Sequence, residues 1–339
     1  MRSALCRRPG EIDLREVSLP SPSPGEVRLR VLTCGICGSD LHWYQGLAAP
    51  PDVCPGHEIV GVVDEVGGDV ASIAPGHRVA MEGVRSCGAC EVCRRGETQR
   101  CRRLAIVGLA VPGGFADCVL APALGVHRVP DEIGDRAASL TEPTAVAVHA
   151  LDLAGLRAGA RVVVLGAGTI GLLCAAVARR AGAGEVLVSA RRPHQIEAAR
   201  ALGAVPIGDR EEYVVRASPG EADVVVETVG GAGGTLGTAL RCVRPGGVVV
   251  VAGVFTRPVS IDALALMNDE IRLVGSMAYG RAAGRADFEV ALDLLRDEGE
   301  DLAGLLVTHR FALEDVNAAF RTASEKRDGA VKVIVEPNR

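Results

Sequence analysis

The stretch from Arg161 to Ala183, RVVVLGAGTIGLLCAAVARRAGA, constrains the fold of this chain more than any other. Its apolar start, residues 162–165, reads as a strand buried on both faces of a parallel sheet. Gly166, Gly168 and Gly171 follow as G-x-G-x-x-G, and an apolar helix runs on from them. The glycine pattern alone is common. Between a strand and a helix, with a second strand EVLVS after it, it specifies a unit that cradles a dinucleotide. Gly166 allows the tight turn, Gly168 lets the backbone approach the pyrophosphate, and Gly171 lets helix and strand pack closely. Thr169 and Ile170, between the glycines, belong to the same cradle.

Alternation continues. ADVVVETVG (222–230), GGVVVVAGVF (246–255) and IRLVGSM (271–277) read as further strands with helical stretches between them. The fold class is therefore α/β, a doubly wound parallel sheet. DREEYVVRASPGE (209–221) is short for a full crossover helix, so that connection is expected to be abbreviated. Ligands of such sheets sit at the carboxyl ends of the strands, which points Thr228, Val229, Val254 and Met277 towards ribose and nicotinamide.

The second strand should deliver an acid roughly 20 residues after the glycines, to hold the ribose 2′-hydroxyl of NAD. Ala190 stands there, 190 − 171 = 19 residues after Gly171, with Arg191 and Arg192 beyond it. Losing the carboxylate removes repulsion against a 2′-phosphate, and the guanidiniums add charge-assisted donors for it. NADP(H) is expected in preference to NAD(H).

Eleven cysteines need a role. The first residues carry no long apolar segment, and no uncharged apolar run approaches the roughly 20 residues of a membrane span. A cytoplasmic chain with reduced thiols is expected. CGACEVCRRGETQRC then places Cys87, Cys90, Cys93 and Cys101 where four thiolates can surround one zinc ion. Such a closed shell leaves no open position, so this zinc would be structural. No helix start is expected behind the Cys-x-x-Cys pairs, which argues against a redox role. CGICGSDLH and PGHEIVG add a second, looser set: Cys37, His57 and either Glu58 or Glu142. Sulfur, nitrogen and a carboxylate plus water is what catalytic zinc needs. Each of these residues taken singly is ambiguous. The remaining cysteines read as packing thiols.

With 339 residues, two domains are expected. Lys and Arg number 37 against 42 Asp and Glu, a net charge of −5, which argues against a general nucleic-acid or anionic-membrane binder.

CGICGSDLH, PGHEIVGVVDEVG, the four-cysteine loop, EPTAVAVHA, LGAGTIG and LVTHRF, in that order, resemble the zinc-dependent medium-chain dehydrogenase/reductase family of alcohol and polyol dehydrogenases. The resemblance covers nearly the whole chain. It implies a discontinuous catalytic domain with a GroES-like β-barrel (1–148 and 284–339), carrying a structural zinc lobe at about 85–103. A Rossmann cofactor domain (149–283) is inserted between the two parts. It implies catalytic zinc on Cys37 and His57, with Glu142 matching the third protein ligand and Glu58 able to enter the shell. Ser39 and His42 match a proton relay. The implied activity is hydride transfer between NADP(H) and a secondary alcohol or ketone of polyol, cyclitol or amino-alcohol type, with one catalytic and one structural zinc per chain. An NAD-dependent sorbitol- or threonine-type dehydrogenase is one alternative; a non-catalytic zinc-stabilised binding protein is another. A homodimer or homotetramer is implied, with SIDALALMNDEIRLVG (260–275) a candidate contact. Trp43 and Tyr44 are expected to line the substrate pocket. Two departures bear on substrate and cofactor: the ribose acid is missing, and Ala278 precedes Tyr279 where sorbitol-type members carry an arginine.

Overall fold

In a computed structural model, residues 1–282 and 284–338 are described. The chain divides into two compact units, Met1–Glu142 with Phe288–Arg339, and Pro143–Asp287.

The first unit is built on a seven-stranded sheet. Its path runs Val307–Ala312, Lys332–Glu336, Glu26–Gly35, Glu58–Val66, Arg78–Met81 and Val126–Arg128, and Cys118–Pro122 pairs with Glu26–Gly35 as well. Alternation of apolar and polar residues in EVRLRV puts Val27, Leu29 and Val31 on the core face. Register shifts at Arg28/Leu29 and Val31/Thr33 bend this central strand as it pairs with Glu58–Val66. The strand Lys332–Glu336 lies antiparallel to it, opposing Ile334 to Gly35 and Val335 to Cys34, so distant parts of the chain complete one sheet.

Trp43 and Tyr44 sit in this unit's core, both ring centroids 5.2 Å from that of Phe320, which in turn meets Phe115 edge-on. They are 4% and 9% exposed, which corrects the expectation that they line a substrate pocket. In a chain with five Phe, three Tyr and one Trp, clustering the large rings in the interior removes the most apolar area from water.

The second unit is the doubly wound sheet. Its six parallel strands run in the order Val205–Ile207, Glu185–Ser189, Arg161–Leu165, Ala222–Glu227, Val243–Val251 and Arg272–Gly275. Val162, Val163 and Val164 are fully buried at its centre. Each such side chain contributes about 1.5–3 kcal/mol. The edge strand Val205–Ile207 escapes the sequence reading, because it is three residues long, contains Pro206 and is only partly covered. The abbreviated connection is a seven-residue helix, Glu211–Ala217. At the opposite edge, Arg272–Gly275 follows a short helix, Ala263–Asn268, with no buried residue. Among the described residues no helix is long and apolar enough to cross a membrane.

Candidate functional site

In the second unit the glycines meet three different demands. Gly166 has φ +104°, a left-handed conformation that disfavours side chains. A methyl group on Gly171 would collide with the Gly166 carbonyl oxygen. Gly168 needs neither: its φ is −82°, and a methyl there would meet nothing. That open cradle at the start of the helix Thr169–Arg180 is what a pyrophosphate would fill, so the loop fits a dinucleotide. The turn is held by two hydroxyls the sequence reading did not assign to this task. The Gly166 amide donates to Ser189 Oγ (2.8 Å), and Thr228 Oγ1 donates to the Leu165 carbonyl (2.8 Å).

The loop after Ala222–Glu227 is shaped by buried Glu227. Its carboxylate accepts from the Val229 and Gly230 amides (2.8 and 2.9 Å) and from Thr235 Oγ1 (2.8 Å). Val229, Val254 and Met277 are exposed beyond the carboxyl ends of their strands. Ala190 is buried just past the second strand, Arg191 is exposed, and half-buried Arg192 caps the helix Pro193–Ala201.

In the first unit, Cys37 caps the short helix Gly38–Tyr44, and His57 and Glu58 lie at the start of the strand Glu58–Val66. One ligand atom from each of Cys37, His57 and Glu58 falls within 4.8 Å of the others. Asp40, buried and absent from the sequence reading of the site, accepts from the Cys37 amide at Oδ2 (3.0 Å) and places Oδ1 3.9 Å from His57 Nδ1. It thereby fixes the Cys37 loop and sets a negative charge beside His57. Ser39 and His42, three apart on the helix, share a face and are both half-buried.

Lys332 is the other residue that sequence reasoning missed. It is 2% exposed, and its Nζ donates to both Glu58 oxygens (2.7 and 2.6 Å) and to the Ile36 carbonyl (3.1 Å). A methyl at Gly35 would strike this Glu58 carboxylate, so glycine is required beside the pair. Glu142, in the first turn of Thr141–Ala154, stands outside the 4.8 Å trio. Burial, and then the nearby Glu58 charge, push its carboxyl up to about 8. Burial alone would lower His57, but Asp40, Cys37 and Glu142 outweigh it and hold the imidazole well above its usual range. A divalent cation would relieve the crowding of acids, and the soft-plus-hard donor set of sulfur, nitrogen and carboxylate suits zinc.

The four-cysteine loop closes on itself. Sγ–Sγ distances are 3.4 Å for Cys90–Cys93 and 3.9 Å for Cys87–Cys93 and Cys90–Cys101. Disulfides are much shorter, at about 2.05 Å, whereas the edge of a ZnS₄ tetrahedron with 2.3 Å bonds is about 3.8 Å. Amides of Cys87 and Arg103 donate to Cys101 Sγ (3.3 Å each), and that of Cys90 to Cys87 Sγ (3.4 Å). The Ala89 and Cys90 amides, with Arg103, pull the Cys87 thiol down to about 5, which favours the ligating thiolate. One expectation is corrected: a helix does begin behind a Cys-x-x-Cys pair, Glu91–Arg94 with Cys90 as its cap. It is a single turn, and all four thiols converge on one point.

Comparison with known proteins places the whole chain in one family and fold. Residues 23–131 match the alcohol dehydrogenase GroES-like domain, and residues 169–297 the zinc-binding dehydrogenase domain. An L-threonine 3-dehydrogenase of Anaeromyxobacter sp. (strain K) is 34% identical over 331 residues, covering 93% of each chain. Among solved structures, a putative zinc-binding dehydrogenase from Sinorhizobium meliloti 1021 bound to NADP superposes with TM-score 0.86 at 32% identity, covering 99% of both chains. An alcohol dehydrogenase from E. coli CFT073 complexed with NADH superposes with TM-score 0.89 at 28% identity, again covering 99% of both.

Proposed function

The chain belongs to the zinc-dependent medium-chain dehydrogenase/reductase family, and from that premise we propose that it transfers hydride between NADP(H) and a secondary alcohol or ketone. The observation that carries the reading is the convergence of Cys37, His57 and Glu58 in one unit of a chain whose other unit holds the open glycine cradle. In this reading the first unit takes the substrate and the second the dinucleotide.

Zinc bound among these residues supplies Lewis acidity towards the substrate oxygen. Cys37 and His57 would hold the ion; Glu142 is ranked first as the third ligand, since Lys332 engages both Glu58 oxygens, and Glu58, whose oxygen lies within 4.8 Å of the other two donors, is the alternative. Asp40 places its charge beside His57 and holds the Cys37 amide. Ser39 and His42 serve as members of the relay that carries the proton between the substrate hydroxyl and water; in reduction the path reverses. Residues 87–101 hold a second, structural zinc. Replacing Cys90 by serine should therefore lower the measured zinc content from two ions per chain to one, with the loss confined to the lobe. A variant that kept two ions would remove Cys90 from the ligand set.

Arg191 and Arg192 support the choice of NADP(H), because no carboxylate follows Ser189 to repel a 2′-phosphate. Losing one charge-assisted contact of about 1.5–3 kcal/mol should change cofactor preference by roughly 10- to 100-fold. Replacing Arg191 by alanine should thus raise the NAD-to-NADP ratio of kcat/KM by at least about tenfold. Equal efficiency with both cofactors in the parent enzyme would overturn the assignment.

The substrate class is a secondary alcohol of the polyol, cyclitol or amino-alcohol type. The absence of an arginine before Tyr279 weighs against sorbitol-like chains. A threonine-type, NAD-dependent dehydrogenase is the second reading, favoured by the 34% identity to one. A panel of these alcohols and their ketones, run against both cofactors with zinc measured on the same sample, separates the two. The exposed Leu264 and Met267 beside the edge strand Arg272–Gly275 suit a contact in a homo-oligomer.

A further inference from the structure

The amino ends of the parallel strands, opposite the end that carries the glycine loop, border an open depression of about 300 Å³ whose arginines are exposed. It is lined by Arg157 from the loop before Arg161–Leu165, Arg244 and Gly246 from Val243–Val251, Arg272 from the edge strand, and Asp223. Three guanidiniums from separate segments thus share one small concavity with a single carboxylate. That carboxylate is committed elsewhere: Asp223 Oδ2 accepts from the Arg161 amide (2.8 Å), and Oδ1 from Arg244 Nε (2.7 Å). Arg161 spends its own guanidinium on Glu185 and Glu221 (3.0 and 2.7 Å). Asp269 and Glu270, which precede Arg272 in sequence, form no ion pair with it, and Arg157 has no carboxylate within 4.0 Å among the described residues. Asp223 therefore pairs with one of the three cations, while Arg157 and Arg272 form no ion pair among the described residues.

Three guanidiniums on one rim suit an anion with several oxygens, because each planar fork can grip two oxygens at once. A simple chloride would neutralise one charge and leave most donors unused. An ion with several oxygens and two or more charges uses them fully, and the volume admits one the size of pyrophosphate.

We propose that this depression is a binding site for a small polyanion bearing phosphate, separate from the dinucleotide cradle at the other end of the same sheet. Inorganic pyrophosphate is the probe. Titration calorimetry on the full-length enzyme, at constant ionic strength and saturated in turn with NADP⁺ and NAD⁺ to occupy the glycine loop, should report one pyrophosphate per chain. The Arg157→Ala/Arg272→Ala variant should bind at least tenfold more weakly while its kcat/KM for the alcohol stays unchanged, which also shows that it folds. Arg191→Ala, at the cofactor end, should bind pyrophosphate like the parent. No binding to the parent enzyme, or equal affinity in the double variant, would overturn the assignment. Orthophosphate and a phosphate monoester, titrated alongside, distinguish a free ion from a phosphorylated metabolite as the occupant.

Discussion

Replacing Cys37 by alanine is expected to lower kcat/KM by at least about a thousandfold while the fold survives. The side chain lies half-buried at a helix cap, and the link that fixes the local backbone is the Cys37 amide bond to Asp40, which alanine retains. What alanine removes is the sulfur of the proposed zinc site. Metal polarisation contributes several kcal/mol to such reactions, and every 1.36 kcal/mol is a factor of ten. Steady-state kinetics, zinc analysis and a thermal melt on one preparation test this. Activity should collapse, zinc should fall by one ion per chain, and the melting temperature should stay within a few degrees. A fully active Cys37→Ala enzyme would refute the metal assignment whatever its melting curve.

The second large effect falls on stability. Lys332→Met should destabilise the first unit by about 3–5 kcal/mol, the usual consequence of leaving one member of a buried ion pair without its partner. Lys332 and Glu58 are both nearly inaccessible, at 2% exposure each, so no water replaces the lost ammonium. For a chain of this size the melting temperature should drop by on the order of 10 °C. The combined Glu58→Gln/Lys332→Met variant should recover much of that loss, because an amide tolerates burial better than an orphaned carboxylate. Calorimetric melts of the two single variants and the double variant give the coupling directly. If Lys332→Met melted like the parent, Glu58 would not depend on the lysine.

These two experiments bear on residues that differ in how readable they were. Cys37 and His57, each ambiguous alone, stand out through the family resemblance; the four lobe cysteines could be named in advance because their chemistry is written in local spacing. The same holds for the inner strands of the parallel sheet, whose runs of valine have no other stable use. Lys332 and Asp40 could not. The lysine stands in VKVIV, where one charge among valines reads as the solvent face of a strand, and its partner is 274 residues away in sequence. Asp40 reads as an ordinary acid in the first turn of a helix. What places Lys332 is the pairing of Lys332–Glu336 with Glu26–Gly35, and what sets Asp40 beside His57 is the pairing of Gly35 with Glu58, non-local facts with no periodicity of their own. The edge strand Val205–Ile207 was hidden for a related reason, since a half-covered strand lacks the continuous apolar run that marks a central one. Trp43 was misjudged because an aromatic beside a relay histidine suggests a pocket, while its burial is decided by Phe320, far along the chain.

The open space beside Gly168 has an evolutionary corollary. A methyl there would touch no protein atom and strain no torsion, so the apo chain would fold, express and resist proteolysis as before. Selection for heat tolerance alone would favour alanine there, because it lowers the entropy of the unfolded chain. The glycine can be held only by the demand to bind, and drift at Gly168 in a descendant would be an early mark that the ancestral trade in reducing equivalents had lapsed.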